Sequence, residues 1–519
     1  MYLTQGLHRA LQQKPEALAT VCGTRRHSFA QLASRVARLA GGLQGLGVKT
    51  GDRVAILSPN SDRYLEYFLA VYWAGAVVNP VNTRWSAAEI AYSLEDSDNR
   101  LLLLGDPFVA MAPELRRLAP GLRELIYCGD EATPAGMRSY EALIEQSAPV
   151  ADARRNGDDL AGVFYTGGTT GFPKGVMLSQ RALYVNALTL LSEGLIKDRC
   201  VGLHAAPMFH IADCAFMNAL LASGSRHVFI PSFTPQATLE TIDREQVSAA
   251  LLVPTMIQMM IDSPQIDQYL LSSLRSLMYG ASPISEALLE RAMARLPGVE
   301  FVQAYGMTEL APVATVLPPW YHSEQGRPAG KLRSAGRATF CTEVRIVDPE
   351  DDRELPRGEV GEIIVCSPSV MQGYWKKEKE TAAALRGGWM HTGDMGYMDS
   401  EGFVFVVDRL KDMIVTGGEN VYSVEVENAL VRHPALATCA VIGIPDPRWG
   451  EAVHAVVVLK AGASVSEDEL RAHCHTLIAN YKCPRSFQFV EALPLSGAGK
   501  VLKNKLREPF WQQHSRRVS

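Results

Sequence analysis

Long apolar runs are missing from this 519-residue sequence. The longest, about Tyr67–Val78, is shorter than the ~18 residues that a bilayer-spanning helix needs, so no transmembrane segment is expected. The opening Met1-Tyr-Leu-Thr-Gln-Gly-Leu-His-Arg9 lacks the basic-then-apolar order of a secretory leader. An excess of positive charge is missing too. Lys and Arg number 51 against 56 Asp and Glu, a net charge of −5, so nucleic acid is not an expected partner of the chain as a whole. Cysteine pairs are absent: the nine cysteines are scattered, none in CxxC spacing, and their odd number does not make a disulfide framework. That usage implies a reducing, cytoplasmic setting. Repeats and low-complexity tracts are also lacking. What is present, 47% hydrophobic and 21% charged residues, is a globular composition long enough for two to four folding units at roughly 150 residues each.

Short apolar runs alternate with helical patterns through the first four hundred residues. Arg53–Leu57 reads as a strand, Ser61–Ala74 as a helix, Ala76–Val78 as a strand, and Ser86-Ala-Ala-Glu89 as a capping box opening a helix before the strand Leu101–Leu104. Further strands are expected at Leu160–Tyr165, Val201–Ala206, His227–Ile230, Ala249–Val253, Ser276–Tyr279 and Glu300–Tyr305. Strands separated by helices and apolar throughout imply parallel sheets covered on both faces, an α/β architecture. After about Phe340 the texture changes: Glu343–Val347, Glu362–Cys366 and Phe403–Val407 are strands with little helix between them, suiting an antiparallel or barrel-like portion. The tail reads helix Ser423–His433, strands Thr438–Ile444 and Val453–Leu459, helix Glu467–Ile478 and strand Phe487–Val490, enough for a small domain. The charged stretch Asp408–Asp412 marks the border, giving domains 1–410 and 411–519. His473-Cys474-His475 does not converge on a metal, because residues two apart on a helix face different ways.

The segment Tyr165-Thr-Gly-Gly-Thr-Thr-Gly-Phe-Pro-Lys-Gly-Val176 carries the most chemistry. It follows a strand and precedes a helix expected near Ser179. Glycines at 167, 168, 171 and 175 let backbone approach a polyanion, threonine hydroxyls add donors and Lys174 adds charge. Phosphate is the ligand such chemistry suits. It is not a Walker A loop, since Lys174 lies between Pro173 and Gly175; a P-loop kinase is thereby excluded.

With this loop come Pro207-Met-Phe-His210, Tyr279-Gly-Ala-Ser-Pro283, Tyr305-Gly-Met-Thr-Glu309, Gly373-Tyr-Trp375, Thr392-Gly-Asp394, Asp408-Arg-Leu-Lys411, Gly417-Gly-Glu-Asn-Val421 and Pro494-Leu-Ser-Gly-Ala-Gly-Lys500. In that order they resemble the motifs of the acyl-adenylate-forming (AMP-binding) enzymes, in the acyl-CoA synthetase branch, from about Phe29 to Lys505. The resemblance implies a large N-terminal domain with two βαβ-type sheets and a small β-barrel, and a mobile α+β C-terminal domain hinged at Lys411. It implies two half-reactions. A carboxylate attacks the α-phosphorus of ATP, giving acyl-AMP and pyrophosphate; the thiol of coenzyme A then takes the acyl group and AMP leaves.

The same resemblance assigns residues. Thr166, Gly167, Gly168, Thr169, Thr170, Gly171 and Lys174 would face the phosphates. Gly280, Ala281, Ser282, Pro283, Tyr305, Gly306 and Met307 would hold the adenine, Tyr305 by stacking, while Asp394 and Arg409 take the ribose. Glu309, with Thr166, would bind Mg²⁺, a hard cation suited to carboxylate oxygen, and Thr308 would contact phosphate. Lys500 would be the catalytic lysine, neutralising charge as carboxylate and α-phosphate meet; a solvated basic tail with Lys503, Lys505 and Arg507 is the plainer alternative. His210 would lie where acyl and thiol tunnels meet, and rotation about Lys411 would bring Gly417, Gly418 and Glu419 to coenzyme A.

Three departures stand out: Gly167 for the commoner serine, Pro-Leu-Ser for Pro-Arg-Thr before Lys500, and Asp213 where glycine is common. Tyr184, Phe209, His210, Met256, Gly280, Ala281, Gln303 and Met307 would line the acyl pocket. Their apolar character, with Gly280 and Ala281 removing bulk, favours a fatty acid, with an aryl acid as the alternative; length preference is not legible. Free coenzyme A is the expected acceptor. A stand-alone enzyme loading a carrier protein, or a non-catalytic nucleotide sensor, are the rival readings; oligomeric state is not derivable.

Overall fold

In the computed structural model the described residues are 1–166, 173–194, 196–197, 199–282, 284–416, 419–496 and 500–511. They divide into two compact units, Met1–Glu343 with Val365–Met390, and Val344–Ile364 with His391–Ser519.

The first unit carries the two expected sheets. One has nine strands, with a parallel centre of Glu300–Gly306, Ser276–Gly280, Ala249–Leu252, Val201–His204, Arg226–Phe229 and Leu18–Cys22. Val313–Leu317, Arg337–Ala338 and Arg25–Ser28 are added antiparallel at its edges. The other has eight strands in the order Gly373–Tyr374, Lys174–Ser179, Leu160–Thr166, Val77–Pro80, Arg53–Leu57, Leu101–Leu104, Glu124–Tyr127, Arg138–Ser139. Its runs such as Leu101–Leu104 are buried along their whole length, as a strand covered on both faces must be. The helix Ala87–Asp96 starts where the sequence signal put it: Ser86 N donates to Glu89 Oε2 at 2.9 Å and Glu89 N to Ser86 Oγ at 3.4 Å.

The helix Asp62–Trp73 is buried on every face, and its two acids need partners there. Arg25 pairs with Asp62 at 2.8 Å, and Arg35 donates to Glu66 at 3.0 Å. Tyr140 Oη donates to Glu66 Oε2 at 2.7 Å. Burial pushes the Glu66 carboxyl up, and Arg35 works against that shift. The network thus ties helix Asp62–Trp73 to helices Phe29–Gly45 and Tyr140–Gln146.

The second unit is built on a four-stranded sheet, Glu343–Val347, Gly361–Cys366, Met390–Met398 and Val404–Arg409, where a small barrel was expected. Its C-terminal part pairs Glu419–Val421, Ile414–Thr416, Gly450–Leu459 and Leu436–Asp446 in order, with Ser486–Phe489 parallel to Gly450–Leu459. Helices Ser423–Leu430 and Glu467–His475 pack over this sheet through Val426, Leu430 and Leu470. The border expected at 410/411 falls inside this unit. Asp408 and Asp412, on either side of it, are both held by later residues, Ser423 and Arg507. His473 meets the Ala429 carbonyl oxygen and His475 meets Cys483 Sγ, so the two imidazoles diverge. Among the described residues no helix is long and apolar enough to cross a membrane.

Candidate functional site

The glycine-rich loop joins two antiparallel strands. Thr166 ends Leu160–Thr166, Lys174 begins Lys174–Ser179, and the two are register partners. The helix expected near Ser179 forms as Gln180–Ser192 with Ser179 as its N-cap, and the six-residue strand Lys174–Ser179 stands between it and the loop. Glycine at 175 has a packing role: a Cβ there would meet Val163 Cγ1 at 2.7 Å. Gly167, Gly168, Thr169, Thr170 and Gly171 lie outside the described residues, as do Pro283, Gly417 and Gly418.

Glu309 sits on a single 3₁₀ turn, Thr308–Leu310, between two strands of the nine-stranded sheet. The turn is closed by Met307 N donating to the Pro312 carbonyl oxygen at 3.0 Å. Gly306 is required there, because a Cβ would lie 1.8 Å from that same oxygen. Asn186 Nδ2 donates to the Leu310 and Val313 carbonyls at 3.3 and 3.0 Å, and Met371 N donates to the Glu309 carbonyl at 2.8 Å. The carboxylate is 6% exposed, and its Oε1 accepts from Tyr374 Oη at 2.8 Å. Burial, then the Glu309 charge, pushes the Tyr374 phenol up, so it stays a donor. Lys174 Nζ lies 5.1 Å from the Tyr374 ring centre, which joins the base of the loop to the acid.

Among the described residues no lysine, arginine or histidine pairs with Glu309, and no group of three or more His, Cys, Asp or Glu could hold a metal. A lone buried carboxylate suits Mg²⁺, which takes one or two carboxylates and fills its sphere with water and substrate phosphate. The Glu309 carboxylate is therefore of a kind that fits the expected ion.

Tyr279, Gln303 and Tyr305 come together because Tyr279 and Gln303 are register partners and Tyr305 follows two residues on, on the same face. His322 Nδ1 meets the Pro318 carbonyl at 3.1 Å and must donate to it, so Nε2 accepts from Tyr279 Oη at 2.9 Å. Burial pushes this imidazole down to about 4 and keeps it neutral. Gly280 has a packing reason of its own: a Cβ would stand 2.1 Å from the Ala304 carbonyl oxygen, so the close approach of two strands demands glycine. Ala281 follows with φ +66°, a left-handed conformation unusual outside glycine and typical of ligand-facing turns. Gln303 Oε1 is buried and has no hydrogen-bond partner among the described residues. Met256 is half-buried on helix Pro254–Ile261, Phe209 is buried, and Tyr184 is half-buried on helix Gln180–Ser192, raised by burial and by the nearby Tyr2.

His210 is the N-cap of helix Ile211–Ser223. Its Nδ1 accepts from Ala212 N at 3.3 Å, which leaves the proton of the neutral ring on Nε2. Asn60 shapes the preceding turn: Nδ2 donates to the His204 and Ala206 carbonyls, and Oδ1 accepts from Met208 N at 2.8 Å. Asp213 also finds its explanation. Fully buried, it accepts from His204 Nδ1 at 2.8 Å, and His204 Nε2 lies 3.0 Å from His227 Nδ1. The departure at 213 thus pins the helix that starts at His210 to two neighbouring strands.

In the second unit Asp394 and Arg409 are register partners, with Arg409 Nε 3.2 Å from Asp394 Oδ1. The strand segment Thr392–Asp394 is held by Glu362, which accepts from Gly393 N at 3.0 Å and lies 2.9 Å from His391 Nδ1. A cavity of ≈ 200 Å³ is lined by Thr392, Gly393, Arg409, Leu410 and Lys411. Burial, then Arg409, pushes the Lys411 amine down to about 8. Lys500 closes a short loop: its N donates to Ser496 Oγ at 3.0 Å, and its carbonyl accepts from Ser496 N at 2.7 Å. Glu419 is exposed at the start of its strand.

Sequence reasoning gave Asn60, Asn186 and Tyr374 no role. Only Tyr374 left a signal, as the middle of the Gly-Tyr-Trp motif. It also missed Trp449, flanked by the Arg448 and Arg485 guanidiniums at 4.6 and 4.7 Å.

The family profile described as AMP-binding enzyme matches residues 7–375, and that of the AMP-binding enzyme C-terminal domain matches residues 425–500. A protein of Amycolatopsis sp named feruloyl-CoA synthase is 40% identical over 510 residues, spanning 97% of this chain and 98% of its own. One of Streptomyces coeruleorubidus named fatty acid–[acyl-carrier-protein] ligase ScoC is 36% identical, over 98% of this chain and 96% of its own. The ATP-bound MatB of Rhodopseudomonas palustris shares the fold with a TM-score of 0.88 and 31% identity, covering 99% of this chain and 100% of that one.

Proposed function

This chain belongs to the AMP-binding enzyme family and is an AMP-forming acid–thiol ligase, and from that premise we propose that it activates an apolar carboxylic acid as its acyl-adenylate and passes the acyl group to coenzyme A. The observation that carries the reading is Glu309, a buried acid without a cationic partner among the described residues, held by Tyr374 beside the base of the glycine-rich loop. Bound there, Mg²⁺ would supply countercharge to the phosphates. The loop from Thr166 to Lys174 grips the triphosphate, and Tyr305 stacks on adenine. Asp394 accepts from the ribose hydroxyls with Arg409 orienting it. Lys500 places its charge where the acid's oxygen attacks the α-phosphorus and pyrophosphate leaves. Rotation about Lys411 then withdraws Lys500 and presents residues 417–419 to the thiol, whose sulfur attacks the acyl carbon as AMP departs.

For the acid we rank an aryl acid first and a fatty acid second. The relative named for feruloyl-CoA is the more similar of the two compared. The orphaned Gln303 Oε1 also favours an acid bearing a hydrogen-bond donor, which an alkyl chain lacks. Carrier loading is the second reading for the acceptor, on the strength of ScoC.

A panel of ferulate, cinnamate, indole-3-acetate and dodecanoate, assayed for AMP release with and without coenzyme A, tests the ranking. Ferulate should outpace cinnamate, with turnover rising when coenzyme A is added. A preference for dodecanoate would replace the aryl reading with the fatty one, and indifference to coenzyme A would point to a carrier.

A further inference from the structure

The helix Lys503–Trp511 starts three residues after Lys500, and two of its three basic side chains, Lys503 and Arg507, are not a solvated tail. They stand four apart, on one face, with side chains only 13% and 11% exposed. Lys503 Nζ lies 2.7 Å from Glu427 Oε1 and donates to Ser423 Oγ, which in turn donates to Asp408 Oδ1 at 3.0 Å. Ser423 N donates to the other oxygen of the same carboxylate. Arg507 Nη1 donates to the Lys411 carbonyl oxygen at 3.0 Å, and its Nη2 pairs with Asp412. One helix face therefore holds the turn 408–412 on both sides of Lys411. The same helix is continuous with the Lys500 loop, whose ends are closed by Ser496 N to Lys500 O and by Leu502 N to Pro494 O at 2.8 Å.

We propose that Lys503 and Arg507 are positioning residues that fix the Lys500 loop to the 408–412 turn, so that Lys500 arrives at a set place when that turn is in its adenylating arrangement. The proposal rests on the reading of Lys500 and Lys411 given above. Both ties are desolvated charge-assisted contacts, which hold geometry where a surface pair would not. Adenylation needs Lys500 within a fraction of an ångström of its working position, whereas thiolation proceeds after Lys500 has withdrawn. Loosening the helix should therefore separate the two half-reactions.

The test uses the full-length enzyme and whichever acid of the panel gives most AMP. Arg507→Gln should slow acid-dependent pyrophosphate exchange about tenfold, through kcat rather than the KM for ATP, as misplacement of a catalytic group does. Thiolation of the supplied acyl-adenylate should keep its wild-type rate, and Arg507→Lys should restore part of the exchange. If Arg507→Gln does not fold, Asp412→Ala removes the carboxylate that Arg507 Nη2 pairs with and should show the same split. Equal loss of both half-reactions, or loss of neither, overturns the proposal. Lys500→Ala run alongside separates the two levels. Exchange retained in Lys500→Ala would overturn the underlying reading and this inference with it. Exchange lost there but unchanged in Arg507→Gln would overturn the inference alone.

Discussion

Lys500→Ala is expected to slow acid-dependent pyrophosphate exchange by about 10²–10³-fold, the usual cost of removing one preorganised stabiliser of developing charge. Thiolation of supplied acyl-adenylate should remain near the wild-type rate, because the proposed rotation takes Lys500 away before the sulfur attacks. The side chain begins from a loop fixed at both ends by hydrogen bonds and followed at once by a helix, so truncation beyond Cβ leaves that framework in place. Single-turnover measurement of each half-reaction checks it. Equal loss in both would mean that Lys500 supports the fold of the second unit and does not act on the α-phosphate.

Glu309→Gln is the second large effect. The amide carbonyl can still accept from Tyr374, so melting temperature should change little, but the countercharge for a hard cation is lost. Exchange should fall by about 10²-fold or more at fixed Mg²⁺, and part of that loss should return as Mg²⁺ is raised. The magnesium titration is the informative readout. A variant with reduced rate and an unaltered Mg²⁺ dependence would show that Glu309 organises the turn without holding the ion.

How much of this was legible in the sequence follows from the range of each interaction. The capping boxes at Ser86 and Ser466 were readable because both partners lie within three residues, and both form. The parallel strands were readable because burial on two faces forces continuous apolar runs. The strand Lys174–Ser179 was not, since six residues after a glycine-rich loop look equally like a helix approach; pairing with Leu160–Thr166 decides it. Glu309 stands out in the sequence as the end of a motif, but Tyr374 lies 65 residues further along and only the folded chain brings its hydroxyl to the acid. Asp213 stood out as a departure, and its partner His204 was only nine residues away but on a different element. Lys503 and Arg507 have the composition of a basic tail; the acids that bury them, Glu427 and Asp412, come from other parts of the chain.

The central claim is that ATP is split between its α- and β-phosphates by an organic acid. Incubation of the enzyme with ATP, Mg²⁺ and ferulate without any thiol, followed by separation of the nucleotides and phosphates, tests it directly. The account predicts pyrophosphate and acyl-adenylate, formed only when the acid is present. ADP and orthophosphate, or pyrophosphate released at the same rate without the acid, would contradict it.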